Sequence, residues 1–166
     1  MKIFPLEFSS FESLFKDKKL VIPYYQRDYI WSKDNWEKWL KDIKKLIDCE
    51  DIEEIHFIGS IIYKKTPETN LSSPEYLIID GQQRITTFFV FCFAIFEILK
   101  RNSSKNAFLI ESIEQILFLP DKHGPRLTMR GEDEKSLGAI LSHKNPENNE
   151  ERERELEKLI NILKRH

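Results

Sequence analysis

Tyr76-Leu77-Ile78-Ile79-Asp80-Gly81-Gln82-Gln83-Arg84-Ile85-Thr86-Thr87-Phe88-Phe89 is the stretch that decides the fold. Tyr76 to Asp80 is short, apolar and rich in isoleucine, so it reads as a strand buried on both faces. From Ile85 to Leu99 the chain is apolar except for Thr86, Thr87 and Glu97. That run is too short and too polar for a membrane span, and reads as a core helix from about Gln82 to Arg101. Asn102-Ser103-Ser104 ends it. Gly81 lets the backbone turn tightly between strand and helix.

Working outward, His56 to Tyr63 reads as a partner strand, also buried on both faces. The polar linker Lys64 to Glu75 holds Pro67 and Pro74 and reads as an exposed loop between paired strands. Upstream, Ser32 caps a helix whose stripe is Trp36, Trp39, Leu40, Ile43, Leu46 and Ile47. Glu37 and Lys41 have the spacing of a surface ion pair on its wet side. Leu20-Val21-Ile22 is a short strand stopped by Pro23, and Tyr24 to Trp31 is irregular and aromatic-rich. Ser9 and Glu12 have capping-box spacing for a short helix carrying Phe11, Leu14 and Phe15. Downstream, Phe108 to Phe118 reads as a helix, Arg126 to Met129 as a strand and Asp133 to Leu141 as a helix. From Glu147 a charged helix carries Leu156, Leu159, Ile160 and Leu163 on one stripe. That stripe folds back, or it marks a piece of a longer protein.

The class is therefore α/β of the α+β kind, a small mixed sheet surrounded by helices with a helical C-terminal part. Residues 1–104 form the first unit, and 105–166 form a helical extension. With 166 residues, 40% hydrophobic and 33% charged, the chain suits a soluble globular protein. A net charge of −2, from 26 basic and 28 acidic side chains, gives no overall basic field to draw it onto nucleic acid. Cys49 and Cys92 form no metal or redox motif and read as buried thiols in a reducing cytoplasm. No signal peptide follows Met1-Lys2-Ile3-Phe4-Pro5.

The chemistry concentrates at Asp80-Gly81-Gln82-Gln83-Arg84. A helix start offers free backbone N–H groups and a partial positive charge. Gly81 allows a ligand to come close, and the Arg84 fork can grip a phosphate. Asp80 suits a metal-water ligand, a ribose contact or a loop-fixing acceptor. Gln82 and Gln83 suit the orienting of a water or a base edge. The bland alternative makes Asp80 a helix cap and Arg84 a surface residue. In Ile22 to Trp31, Tyr24, Gln26 and Arg27 can stack bases and hold phosphates. Alternatively this is a packed loop, with Tyr29 and Trp31 in the core and Arg27 paired to Asp28 or Asp80. Gly59 within Phe57-Ile58-Gly59-Ser60-Ile61 marks a bulge or a close backbone approach, and Ser60 would then face a ligand. His56 alone reads as structural.

Together these three motifs, in this order, resemble the N-terminal domain of GmrSD-type restriction systems, a ParB-like family. That family shows I-P-x-Y-Q-R-x-Y-x-W, then F-x-G-S-I, then I-D-G-Q-Q-R-x-T-T. They stand here as Ile22 to Trp31, Phe57 to Ile61 and Ile79 to Thr87. Arg126-Leu127-Thr128 followed by Asp133 looks like a weaker family element. The resemblance implies a fold related to ParB and sulfiredoxin. It implies that Asp80, Gly81, Gln82, Gln83 and Arg84 bind and hydrolyse a nucleoside triphosphate; the mechanism expected for that site is Mg²⁺-assisted, with Asp80 anchoring the metal through water and Gln82 or Gln83 positioning the attacking water. Gly59 and Ser60 would border the pocket, and Tyr24, Gln26 and Arg27 would touch the nucleotide or a modified DNA backbone. In such systems this activity controls a nuclease that attacks modified phage DNA.

Two departures shape the expectation. The histidines, His56, His123, His143 and His166, lack the spacing of an H-N-H metal site, so the nuclease would be another domain or subunit. No P-loop signature is present, so hydrolysis would use the unusual site above. The expected protein is a cytoplasmic NTPase coupled to a DNA endonuclease, with no membrane partner and room for a homo-oligomer. The rivals are a non-catalytic sensor of nucleotide or DNA modification, a direct DNA nickase using Asp80 with Asp28, and a truncated remnant.

Overall fold

A computed structural model describes residues 10–16, 18–49, 57–67, 74–101, 106–120, 124–130, 134–135, 137–138 and 141. Among these residues the order is α1 (Phe11–Phe15), β1 (Lys19–Ile22), α2 (Lys33–Asp48), β2 (Ile62–Lys65), β3 (Glu75–Asp80), α3 (Gln82–Arg101), α4 (Ala107–Leu117) and β4 (Leu127–Met129). The strands form one mixed sheet in the order β2-β3-β1-β4. β1 is central and runs parallel to both β3 and β4, while β2 pairs antiparallel with β3 at the edge. The α+β class, a mixed sheet with helices, is as the sequence indicates. α4 and β4, beyond residue 104, share this sheet and core with the first part of the chain.

Alternation along the strands decides which face is covered. Leu20 and Ile22 of β1, Ile78 of β3, and Leu127 and Met129 of β4 all enter the core. Against them lie Ile85, Phe89, Cys92, Phe93 and Phe96 of α3, Leu14 and Phe15 of α1, and Leu117 of α4. Each such side chain contributes about 1.5–3 kcal/mol when fully buried. α3 is long and apolar enough, by length and composition, to cross a membrane. Its apolar side chains instead cover the sheet, with Phe15 stacked on Phe88 and Phe89 at ring-centroid distances of 5.9 and 5.8 Å.

Buried polar atoms tie the ends of the elements together. Arg126 is buried, and its guanidinium donates to Gln115 O at 2.6 Å and Lys18 O at 3.2 Å. It thereby joins the last turn of α4 to the entrance of β1, where helix carbonyls lack intrahelical partners. Its sequence neighbourhood gave no hint of this role. Ser32 caps α2 through a reciprocal capping box with Asn35.

Several boundaries differ from the sequence expectation. The cap of α1 is Ser10, whose side chain accepts from Ser13 N at 3.1 Å; Ser9 lies outside the described residues. The partner strand begins at Ile62, because Gly59 adopts φ +100° and Phe57 to Ile61 runs as an irregular segment. Neither β2 nor β3 is buried on both faces: every β2 residue is exposed, and only Ile78 of β3 is buried. β2 is a sheet edge, and its paired lysines Lys64 and Lys65 suit that position. The α2 stripe is buried only at Trp36 and Trp39, and Ile47 is exposed. Glu37 pairs with Lys33, at 3.7 Å. Glu134, Lys135, Leu137, Gly138 and Leu141 are helical, as expected for that stretch. His56, Asn102 to Ser104 and the charged C-terminal helix lie outside the described residues.

Candidate functional site

β1, β3 and β4 end at one edge of the sheet, and α3 starts there. In open α/β sheets the crevice outside the carboxyl ends of parallel strands is where ligands bind. Gly81, φ +92°, makes the turn from β3 into α3. Its carbonyl accepts from Ile85 N at 3.0 Å, which closes the first helical bond. The N–H groups of Gln82, Gln83 and Arg84 then stand in the first turn, without intrahelical acceptors.

The two glutamines point inward and are buried. Gln82 Nε2 donates to Arg27 O at 2.8 Å, and Gln83 Nε2 donates to Asp28 O at 3.0 Å. Gln83 Oε1 accepts from Ile30 N at 3.0 Å. From the other side, Gln26 Nε2 donates to Ile79 O at 2.9 Å. The Tyr24–Trp31 segment is thus pinned to the end of β3 and the first turn of α3 by side-chain amides. Sequence reasoning pointed the glutamines at a ligand. The structure places both inside, with Gln83 using both ends of its amide on the backbone.

Tyr29 extends this network: its hydroxyl lies 2.7 Å from Thr87 Oγ1, which donates to Gln83 O at 2.8 Å. Burial pushes the Tyr29 phenol up to about 12, partly offset by its hydrogen bonds to Thr87 and Trp36. Pinning leaves the neighbouring rings outside. Tyr24 and Tyr25 are exposed and meet edge to face at 5.6 Å, with Arg27 and Asp28 also exposed.

Arg84 ties down the second loop. Its Nη1 donates to Ile58 O at 3.1 Å, and its Nη2 lies 3.7 Å from Asp80 Oδ2. The Asp80 carboxylate is mostly exposed, so this is a weak, screened pair. Gly59 is required here twice over: its φ is left-handed, and a Cβ at that position would overlap the Arg84 guanidinium. Gly81 is crowded in turn, since a Cβ there would lie 2.9 Å from Ile61 Cγ1 and 3.3 Å from Ser60 O. The close approach expected at Gly59 is real, and what approaches is Arg84. Ser60 is exposed at the rim.

All three sequence motifs therefore meet at the start of α3. Asp80 carries the exposed carboxylate, Arg84 the partly buried cation, and the helix start the N–H groups. Among the described residues no three His, Cys, Asp or Glu side chains come together as a metal site.

Comparison with known proteins adds one family and one relative. A family model described as GmrSD restriction endonuclease, N-terminal domain, matches residues 11–166. An uncharacterized protein of Methanocaldococcus jannaschii is 28% identical over 103 residues, which is 56% of this chain and 18% of that protein. The chain thus spans less than a fifth of the length of that relative.

Proposed function

The chain belongs to the GmrSD restriction endonuclease N-terminal domain family, and from that premise we propose that this restriction-system domain binds and hydrolyses a nucleoside triphosphate and so controls cleavage of modified DNA. The observation that carries the reading is the meeting of the three segments around one helix start: Gln82 and Gln83 hold Arg27, Asp28 and Ile30, and Arg84 holds Ile58. Such a start favours anions, and an arginine fork beside it suits phosphate oxygens.

In this reading Arg84 and the first-turn N–H groups take up phosphate charge. Mg²⁺ held through Asp80 would neutralise charge on the transferring phosphoryl group. Gln82 retains one unpartnered atom, Oε1, able to orient a water. Gln83 acts by holding the loop. Gly59 and Ser60 form the rim. Tyr24 and Arg27, whose side chains are exposed on the pinned segment, face the nucleotide or the DNA backbone, and Gln26 anchors them. The nuclease is a further domain or subunit, and the setting is the cytoplasm. A fold related to ParB is part of the same proposal.

A sensing module without turnover is favoured by one observation: the exposed tyrosine pair sits on a segment rigidly bound to the proposed phosphate site. The nickase alternative rests on Asp80 with Asp28 alone, since among the described residues no three His, Cys, Asp or Glu side chains come together.

Phosphate release from GTP, ATP, CTP and UTP with Mg²⁺, with and without DNA, separates these readings. Turnover by the chain that is lost in Arg84→Ala, with the melting transition retained, is the expected result. Turnover unchanged in Arg84→Ala contradicts the proposed site. Tight nucleotide binding with no release under any condition favours the sensor.

A further inference from the structure

A small cavity lies beneath the pinned segment, where Ile22 and Met129 end β1 and β4, one turn along α3 from Gly81. Ile22, Met129 and Tyr29 wall it, Arg27 stands beside it, and Gln82 and Thr86 complete the lining. Its volume is about 10 Å³, the room that a single water needs. Gln82 and Thr86 are both more than nine-tenths buried. Each has an atom without a hydrogen-bond partner among the described residues: Gln82 Oε1 and Thr86 Oγ1.

The two atoms are chemically complementary. Gln82 Nε2 donates to Arg27 O, which can only accept, so the other end of the amide is the acceptor Oε1. The Thr86 hydroxyl can both donate and accept. It does not take the bond that Thr87 takes, to the carbonyl four residues back, at 2.8 Å. Gln82 and Thr86 are neighbours on one helix face, where Cβ atoms four residues apart stand about 5–6 Å from each other. One water making two hydrogen bonds of about 2.8 Å spans such a gap. A buried polar atom left bare is costly, and a buried water ordinarily serves about two to four of them.

We propose that this cavity seats one resident water, which accepts from the Thr86 hydroxyl and donates to Gln82 Oε1, and that Thr86 through this water is a positioning residue for the Tyr24–Trp31 segment. Gln82 then uses both ends of its amide, as Gln83 does on Asp28 O and Ile30 N. Gln83 meets backbone at each end, whereas Gln82 meets backbone at one end and water at the other. The water so held sets the Gln82 amide that grips Arg27 O, while the Arg27 side chain stays exposed. The site belongs to the folded chain and stands independently of the nucleotide reading. It bears on that reading at one atom: Gln82 Oε1 holds its water before any nucleotide arrives.

The test compares the intact parent chain with Thr86→Val, which removes only the hydroxyl, and Thr86→Ser, which keeps it. Deuteron magnetic relaxation dispersion counts long-lived waters, and water–protein cross-relaxation by NMR locates this one at the Thr86 methyl and the Gln82 amide protons. The parent chain should show both cross-peaks, and Thr86→Val should hold one long-lived water fewer. Exchange of the Gln82 side-chain amide protons should rise about tenfold in Thr86→Val, the size of one lost hydrogen bond. Thr86→Ser should keep the water and the parent rate. Absence of the cross-peaks in the parent chain overturns the proposal, as does an equal number of long-lived waters in the parent and Thr86→Val. A Thr86 hydroxyl found bonded to Gln82 O overturns it too. If Thr86→Val fails to fold, the parent cross-peaks and their retention in Thr86→Ser decide alone, and loss of the water in Thr86→Ser contradicts the proposal.

Discussion

Two loops meet the first turn of α3, and they are held by different physics. The Tyr24–Trp31 segment is fixed by neutral amides, from Gln26, Gln82 and Gln83, each bonded to backbone. The Phe57–Ile61 segment is fixed by one arginine fork and by two glycines that give it room. Neutral, part-buried amide bonds respond little to salt and do not titrate. A guanidinium on a single carbonyl at 3.1 Å, with a screened carboxylate at 3.7 Å, is free to exchange partners. In the proposed nucleotide reading, one loop is the fixed platform and the other is the side that would respond to an incoming anion.

The largest break in this comparison should come from Gly81→Ala. A Cβ there meets the Ile61 backbone and Ser60 O at 3.3 Å, and φ is left-handed. The expected loss is about 2–4 kcal/mol in urea unfolding, from backbone strain and overpacking combined. A loss under about 0.5 kcal/mol, the ordinary surface range, would mean the two segments are not in contact. Gln83→Leu should come next. It leaves Asp28 O and Ile30 N without partners, at about 2–3 kcal/mol, and should raise amide exchange across Tyr24–Trp31 but not across Phe57–Ile61. Equal exchange in both loops would erase the distinction drawn here. Gly59→Ala should cost less, about 1–2 kcal/mol for the left-handed backbone, because Arg84 is a side chain and can move aside. Its larger effect should fall on anion binding, measured with tripolyphosphate. Anion binding equal to that of the parent chain would separate Arg84 from the site.

The smallest expected effect in this series concerns protons. Burial pushes the Cys92 thiol up to about 12 and, as the larger influence, the Tyr29 phenol up to about 12. Both groups hold their protons more tightly folded than unfolded. Their contribution is therefore complete below pH 9, and falls as the pH rises from 9 towards 12. Stability against urea should be flat from pH 7 to 9 and fall above it, with Tyr29→Phe losing part of the slope. An unchanged slope in Tyr29→Phe and Cys92→Ala would place the titration elsewhere. At pH 8 a maleimide should label Cys49, which is partly exposed, well before the buried Cys92.

Much of the fold was legible in the sequence, because local signals there agreed with the tertiary outcome. The helix read around the apolar run, from Gln82 to Arg101, is α3, and Ser32 caps α2 as its position suggests. Where the sequence misled, a long-range fact intervened. The isoleucines of Ile58 to Ile62 look like a buried strand, but Gly59 turns left-handed over Arg84, and pairing starts only at Ile62. Parallel pairing of β1 with both β3 and β4 brings together chain segments far apart in sequence, and no local pattern encodes it. At the site, the motif was visible but the direction of its side chains was not. Polar glutamines at a helix start suggest a ligand; here their amides meet backbone from residues 27, 28 and 30. The sequence carries no mark that distinguishes Thr86 from Thr87. Only the hydrogen bond that one makes and the other lacks does so.

Hydrogen–deuterium exchange, with and without a slowly hydrolysed nucleoside triphosphate and Mg²⁺, tests most directly whether the three segments form one nucleotide site. The account predicts protection at the start of α3, around residues 80–86, together with protection across Phe57–Ile61 and a smaller gain in the already pinned Tyr24–Trp31. Protection confined to another part of the chain, or to one loop without the start of α3, would contradict it.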